Sequence, residues 1–369
     1  MNNLTFKSSK DFIFFLKDKN FKKIFIIAGE KSYKLSGASK LIDELLINKN
    51  VRYFFKKSSY PDLVELKKII KEINLFTPDL IIAVGGGSVL DYAKIANVLT
   101  DSQNLEHEIP NSSYKIKNKF TKLVAIPTTA GSGAEVTSNA VIYIDKIKYS
   151  VEGELLKPDF FFLIPELVIG ASNKIKASAG FDAIAQAIES LISKKSNSES
   201  LNFAQKSLQI SLKYYLDFLN NPNKDNTSAM CLAANLSGKA ISISKTTAPH
   251  AVSYPFTAIY DVSHGHAVSL TLNKFFKFNF ENIKNSNCNF DLKDRYKMMF
   301  EVSKTDNMEN FDKFLTDIKK KAKLENNFIK LGIDLKKNYS NIISGVNILR
   351  LSNNPVELKK EDLKKIILN

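Results

Sequence analysis

The chain has 369 residues, 44% of them hydrophobic and 11% aromatic, enough to bury sizeable cores and more than one core usually holds, so two domains are expected. Its formal net charge is +15, yet the only arginines are Arg52, Arg295 and Arg350 and the lysines are spread along the chain, which points to a solvated basic surface rather than nucleic-acid binding. Cys231 and Cys288 do not make a disulfide framework, no apolar run reaches membrane-spanning length, and the first residues lack a signal-peptide pattern; the expected location is the cytoplasm.

Lys23–Gly29 reads as a buried strand, Ser39–Lys49 as a helix, and Val51–Phe55 as a second strand. Pro61 precedes a helix over Asp62–Glu72. Leu80–Val84 is a third strand running straight into Gly85-Gly86-Gly87-Ser88, and Leu123–Pro127 is a fourth. Strands alternating with helices predict a parallel sheet with helices on both faces. After about residue 170, helical periodicity dominates over 179–194, 199–219, 228–243, 266–280, 291–302 and 308–322. The expected fold class is therefore an N-terminal α/β domain, residues 1–168, followed by an all-α domain, residues 169–369.

The glycine turn at 85–88 joins a strand to a helix start. Glycines let a ligand approach the backbone, and a helix N-terminus offers unpaired N–H groups to phosphate. The pattern is neither GxGxxG nor a Walker loop, so a plain tight turn is an equal alternative. A second loop, Pro127–Thr137, also follows a strand and packs hydroxyls and glycines together. Two such loops at the carboxyl ends of strands favour a dinucleotide site.

Three of the four histidines, His250, His264 and His266, lie within one short stretch. Histidine is the commonest metal ligand and the usual proton carrier near neutrality, so this crowding points to a metal or catalytic site. Asp182 and Gln186, four apart on a helical segment, share a face and complete a set of one carboxylate, one amide and two imidazoles. Taken alone, Asp182 reads more readily as a helix N-cap or first-turn acid than as a ligand.

These motifs together resemble the iron-containing (group III) alcohol dehydrogenases. Gly85–Lys94 is similar to the family's GGGSxxDxAK, Pro127–Thr137 to its PTTAGTGSEVT, Gly180–Glu189 to its GxDAxxHxxE, and the stretch from His250 to His264 to its paired-histidine region. The resemblance implies a dehydroquinate synthase-like, iron-type alcohol dehydrogenase architecture with its active site in the interdomain cleft. It implies NADPH or NADH as cofactor, bound by Gly86, Gly87, Ser88, Asp91, Thr128, Thr129, Ser132 and Lys148. It also implies a divalent metal, Fe²⁺ or Zn²⁺, at Asp182, His250 and His264, with Gln186 standing where the family has a ligand histidine. Tyr254, where the family often has another histidine, is expected to join His250 and His264 in catalysis. Gly29 stands where NAD-preferring members carry an acid, so a 2′-phosphate beside Lys31 and Ser32, and hence NADPH, is preferred.

Within the family, Thr246–Pro255 followed by His264–Val268 resembles the members that reduce phosphonoacetaldehyde to 2-hydroxyethylphosphonate. That implies a small anionic aldehyde substrate held by Lys245, Thr247, Ser253 and His266, no nucleic-acid or membrane partner, and a homo-oligomer such as a dimer. A general alcohol dehydrogenase acting on uncharged substrates and a nucleotide-binding protein that has lost catalysis are the alternatives.

Overall fold

The computed structural model describes residues 8–346 and 348–368. The chain divides into two compact units: one holds the residues through Ser172 together with Asn223–Cys231, the other Asn173–Pro222 and Leu232 onward.

The first unit contains strands β1 (Lys23–Gly29), β2 (Asn50–Lys56), β3 (Leu80–Gly85), β4 (Lys122–Pro127), β5 (Asn139–Ile144), β6 (Ile147–Glu152) and β7 (Phe160–Phe161). Its helices are α1 (Ser9–Asp18), α2 (Glu30–Leu35), α3 (Ala38–Asp43), α4 (Leu63–Phe76), α5 (Gly87–Val98), α6 (Leu105–Glu108) and α7 (Glu166–Ile169). Five strands form a parallel sheet in the order β2-β1-β3-β4-β7, and β5 and β6 make a separate antiparallel hairpin. Alternate residues feed two cores. Phe25, Ile27, Ile81 and Ala83 pack with α4 and α5, whereas Ile24, Ile26, Ile82 and Val84 pack with α1, α2 and α3. Burial on both faces explains why these strands read as continuous apolar runs. The expected helix over Ser39–Lys49 is instead α3 followed by a short 3₁₀ turn, Glu44–Leu46, and the expected helix start at Asp62 is its N-cap, whose side chain accepts from Glu65 N–H.

Strand order reverses at β1 and β3, which is where open parallel sheets bind ligands, outside the carboxyl ends. The registers Ala28↔Val84 and Gly85↔Pro127 bring the ends of β1, β3 and β4 to that edge. The glycine turn and the 127–137 loop therefore emerge side by side. Lys94, fully buried on α5, ties down the loop's far end: its Nζ donates to Ala134 O at 3.0 Å, Thr137 Oγ1 at 2.6 Å and Asn139 O at 2.5 Å.

The second unit is helical: α8 (Asn173–Ile192), α9 (Ser198–Asn220), most of α10 (Lys224–Ser244), α11 (Ala248–Tyr260), α12 (His264–Glu281), α13 (Leu292–Ser303), α14 (Met308–Lys321), α15 (Leu335–Ser344), α16 (Ile348–Leu351) and α17 (Lys360–Leu368). Helix α8 lies at its centre, packed against α9, α12 and α13. Sixteen of its residues, Lys176–Ser178 and Gly180–Ile192, are buried, so its apolar face is not a stripe and its buried polar side chains need partners inside the protein. Among the described residues no helix is long and apolar enough to cross a membrane.

Replacing Lys94 with methionine takes the ammonium donor away from Ala134 O, Asn139 O and Thr137 Oγ1 in a dry interior and leaves the two carbonyls to share the Thr137 hydroxyl. Breaking such a network costs about 3 kcal/mol, and we expect urea unfolding of K94M to show a loss of that order.

Candidate functional site

Asp182, Gln186 and Glu189 follow at i, i+4 and i+7 along α8 and share one face, where they are 4%, 3% and 0% exposed. A buried carboxylate is costly unless paired and hydrogen-bonded, so its partners define the site. Glu189 Oε2 accepts from the backbone N–H and the hydroxyl of Thr247, at 2.7 and 2.8 Å. Its Oε1 meets His250 Nδ1 at 2.5 Å. A carboxylate can only accept, so the Nδ1 proton points to Glu189 and Nε2 is left on the other side of the ring. That Nε2 is buried without a hydrogen-bond partner and lies 3.3 Å from Asp182 Oδ1.

His264 arrives from the first turn of α12. Its Nε2 is 4.0 Å from the same Asp182 Oδ1, and the His250 and His264 rings meet edge to face at 5.3 Å. One ligand atom from each of Asp182, His250 and His264 lies within 4.8 Å of the others. A first-row cation sits about 2.0–2.2 Å from nitrogen and carboxylate oxygen, which separates its ligand atoms by about 3–4 Å. The cluster fits such an ion: two imidazoles and a carboxylate converge, and the orphaned Nε2 of His250 faces the point they share. An imidazole holding its other nitrogen on a carboxylate is the usual outer support of a metal-ligating histidine.

The approach of α12 depends on Gly265. A Cβ there would lie 2.0 Å from Ser178 O and 2.8 Å from Asp182 Cβ, so only glycine lets α12 touch α8 at this turn. Ser178 Oγ accepts the His266 N–H across the same junction, at 3.1 Å.

Tyr254, on α11, is 6% exposed and stacks on His264 with ring centroids 6.0 Å apart and planes 26° apart. Burial pushes its phenol pKa up, the Arg350 guanidinium pulls the other way, and the carboxylates of Glu189 and Asp182 add to the rise. At pH 7 it is an O–H donor. Burial draws the His250 imidazole down, but Glu189 and Asp182 outweigh it and lift its pKa to about 9.

Of the four residues expected to hold a phosphonate, three have hydrogen-bond partners within the protein. Thr247 is fully buried and spends both donors on Glu189; Ser253, also fully buried, donates to His250 O at 2.8 Å. His266 sets its Nε2 against Glu325 O at 2.7 Å, and burial holds its pKa below the usual imidazole value. Each is committed to internal structure rather than turned to a ligand. Lys245 is half-buried in a left-handed conformation, φ 59°, just after α10. Arg350, which the sequence reading did not single out, is half-buried on α16, which packs on α11. Asn353 fastens this segment beside Lys245 and Tyr254 by donating to Ser244 O and Thr246 O, at 2.8 and 2.9 Å. Glu189 was also missed as a functional residue, although its place three residues after Gln186 on one helix face was a signal.

In the first unit, Gly86 caps α5 with extended backbone, and the N–H groups of Gly87 and Ser88 open the helix. A Cβ on Gly87 would lie 2.9 Å from Ser132 Oγ, so the glycine turn and the second loop are in contact. Thr129 and Ser132 stay partly exposed there, while Thr128 is 4% exposed and its N–H donates to Gly85 O at 3.0 Å. Asp91, 9% exposed, has its carboxyl pKa pushed up to about 6 by burial, against the pull of Lys94, the Val141 N–H and Lys148. The residues expected at the nucleotide thus gather around one helix N-terminus, with Lys148 on β6 within electrostatic reach of Asp91.

Residues 7–165 match the family described as iron-containing alcohol dehydrogenase, and residues 176–369 match its C-terminal domain. Among curated proteins the chain is similar to a phosphonoacetaldehyde reductase of Streptomyces viridochromogenes, 30% identical over 227 residues, 57% of this chain and 56% of that protein. It is also similar to a 4-hydroxybutyrate dehydrogenase of Clostridium kluyveri, 31% identical over 255 residues, 67% of this chain and 66% of that protein. The matched part thus spans less than two thirds of either relative. Among solved structures, a sulfoacetaldehyde reductase from Bifidobacterium kashiwanohense in complex with NAD+ superposes with a TM-score of 0.85 at 24% identity, covering 98% of this chain and 94% of that one, and shows the shared fold.

Gly265→Ala is expected to push α12 off α8 and carry His264 away from Asp182. Zn²⁺ added to the apoprotein should then raise the melting temperature of the wild type and not that of the variant. For Asp91 the folded pKa of about 6 lies above the unfolded 3.8, so its stabilising contribution is complete below pH 4 and is lost as pH rises through 6. The stability of Asp91→Asn relative to the wild type should therefore rise by about 2 kcal/mol between pH 4 and 7, as read from urea unfolding at each pH; a flat difference would contradict it.

Proposed function

The chain belongs to the iron-containing alcohol dehydrogenase family, and on that premise we propose that it is an NAD(P)H-dependent reductase of a small anionic aldehyde, turning phosphonoacetaldehyde into 2-hydroxyethylphosphonate. The observation that carries the reading is the convergence of Asp182, His250 and His264, with the buried Nε2 of His250 facing Asp182 Oδ1 at 3.3 Å.

A divalent cation bound there, Fe²⁺ or Zn²⁺, supplies Lewis-acid polarisation of a carbonyl, and a reduced nicotinamide supplies the hydride. Everything else falls to the chain's own side chains. Asp182 and the two imidazoles hold the cation. Tyr254 presents a phenolic O–H beside His264, where a hydrogen bond to the carbonyl oxygen strengthens as negative charge develops on it. Glu189 keeps the His250 ring from turning.

Two features support an anionic substrate. Arg350 places positive charge near Tyr254, and a guanidinium suits a phosphonate by giving paired donors. The names of two of the curated relatives, phosphonoacetaldehyde reductase and 4-hydroxybutyrate dehydrogenase, specify substrates with an acidic group. For the nucleotide, the N-terminus of α5 and the hydroxyls of Thr129 and Ser132 suit a pyrophosphate. Gly29 closes β1 without an acid and Lys31 beyond it is exposed, which favours NADPH over NADH, although Ser32 Oγ spends its hydrogen on Gly29 O at 3.0 Å.

NADPH oxidation should be fast with phosphonoacetaldehyde, fall on chelation and return with Fe²⁺ or Zn²⁺. Arg350→Gln should raise KM for that substrate about 10–100-fold, the worth of a charge-assisted hydrogen bond or two, and leave KM for acetaldehyde nearly unchanged. Faster turnover of simple aldehydes than of phosphonoacetaldehyde would remove the anionic-substrate reading.

A further inference from the structure

We propose that Gln186 is a positioning residue for Asp182 and not a metal donor, so that the cation is held by three side chains: Asp182, His250 and His264. This rests on the reading that a cation occupies the cluster. Gln186 Nε2 donates to Asp182 Oδ2 at 3.1 Å, and Gln186 Oε1 accepts from Ser237 Oγ on α10 at 2.9 Å. Both residues are buried, at 3% and 0% exposure.

The chemistry sets which end of the amide points where. The Asp182 carboxylate can only accept, so an amide N–H must face it; turned over, the amide would set oxygen against oxygen. The Ser237 hydroxyl can give its hydrogen to the carbonyl at the other end. With Oδ2 taken by the amide, the Asp182 oxygen that faces His250 and His264 is Oδ1, at 3.3 and 4.0 Å from their Nε2 atoms. A carbonyl oxygen that turned to a cation would give up the Ser237 hydroxyl and withdraw the N–H from Asp182.

The arrangement repeats what Glu189 does one helical turn further along α8. There a buried group holds a ligand, His250, and is itself held by a hydroxyl, that of Thr247. In each case a buried side chain of α8 orients one metal-facing group and a hydroxyl from another segment orients that side chain. The i, i+4, i+7 spacing places ligand, carboxylate clamp and imidazole clamp on one face.

The test uses the full-length apoprotein, titrated with Zn²⁺ against a chromophoric chelator and with Co²⁺ by its visible absorption. Outer supports of metal ligands are worth about 10–100-fold in affinity. Gln186→Leu should weaken Zn²⁺ binding by about that factor while the Co²⁺ bands keep their positions and intensities, because the donor set is unchanged. Ser237→Ala, which touches no ligand, should weaken it several-fold in the same direction with the melting temperature of the apoprotein little altered. Gln186→Glu should weaken binding too, since it sets a second carboxylate against Asp182. Altered Co²⁺ bands in Gln186→Leu, tighter Zn²⁺ binding in Gln186→Glu, or an affinity indifferent to Ser237→Ala would overturn the proposal. A wild-type protein that takes up neither ion would remove the metal itself, and with it both this inference and the proposed function. Binding by the wild type with the variants unaffected would remove only the role given to Gln186.

Discussion

Helix α8 buries the carboxylates of Asp182 and Glu189, together with the Gln186 amide, on one face inside a helical core. Such groups are tolerated only where partners meet them. Much of the surrounding architecture can be understood as the supply of those partners. Glu189 draws the N–H and hydroxyl of Thr247 and the ring of His250, so it fixes where α11 begins. Gln186 connects Asp182 to Ser237 on α10. Helices α10 and α11 and the residue before α11 are thereby tied to one face of α8 by polar bonds in a dry interior, where a lost partner costs more than it would in water.

Steric fit decides the rest of that unit's site. At Gly265 the backbone of α12 touches α8 so closely that no side chain fits, and this contact carries His264 to Asp182. At the opposite end of α8, Asn353 fastens the α16 segment by accepting from Lys195 N–H and donating to two carbonyls before α11. The basic residues Lys245 and Arg350 are thus held by a buried network rather than left on mobile surface loops. The phenol of Tyr254, raised by burial, lies within the field of Arg350. Metal-facing groups, a proton donor and positive charge therefore belong to one helical unit.

The α/β unit solves a different problem. Its sheet is covered on both faces, so the place left for a ligand is the edge where the strands end and the order reverses. There the chain places a helix N-terminus, a turn whose Gly87 makes room for Ser132, and a buried acid, Asp91, balanced by Lys94 and Lys148. The buried ammonium of Lys94 then spans from α5 to the segment that leads into β5.

The sequence by itself determined the fold class, the four main strands, the long helices and the motifs, because apolar periodicity, glycine turns and crowded histidines are local signals. It also marked Asp182, His250, His264 and Tyr254, which the structure brings together although up to 82 positions separate them. It left the β5–β6 hairpin, α11 and the two-residue β7 unread, since short or mixed-polarity segments carry little periodicity. Only the tertiary structure decided what each polar side chain spends its hydrogen bonds on. Thr247, Ser253 and His266 are of types that suit an anion, yet they are committed to Glu189, His250 O and Glu325 O. Glu189 meets His250 and Thr247, and Arg350 acts on the Tyr254 phenol, across long separations in sequence. A hydrogen bond joins groups distant in sequence, and its geometry exists only once the helices have packed; residue type and order alone do not contain it.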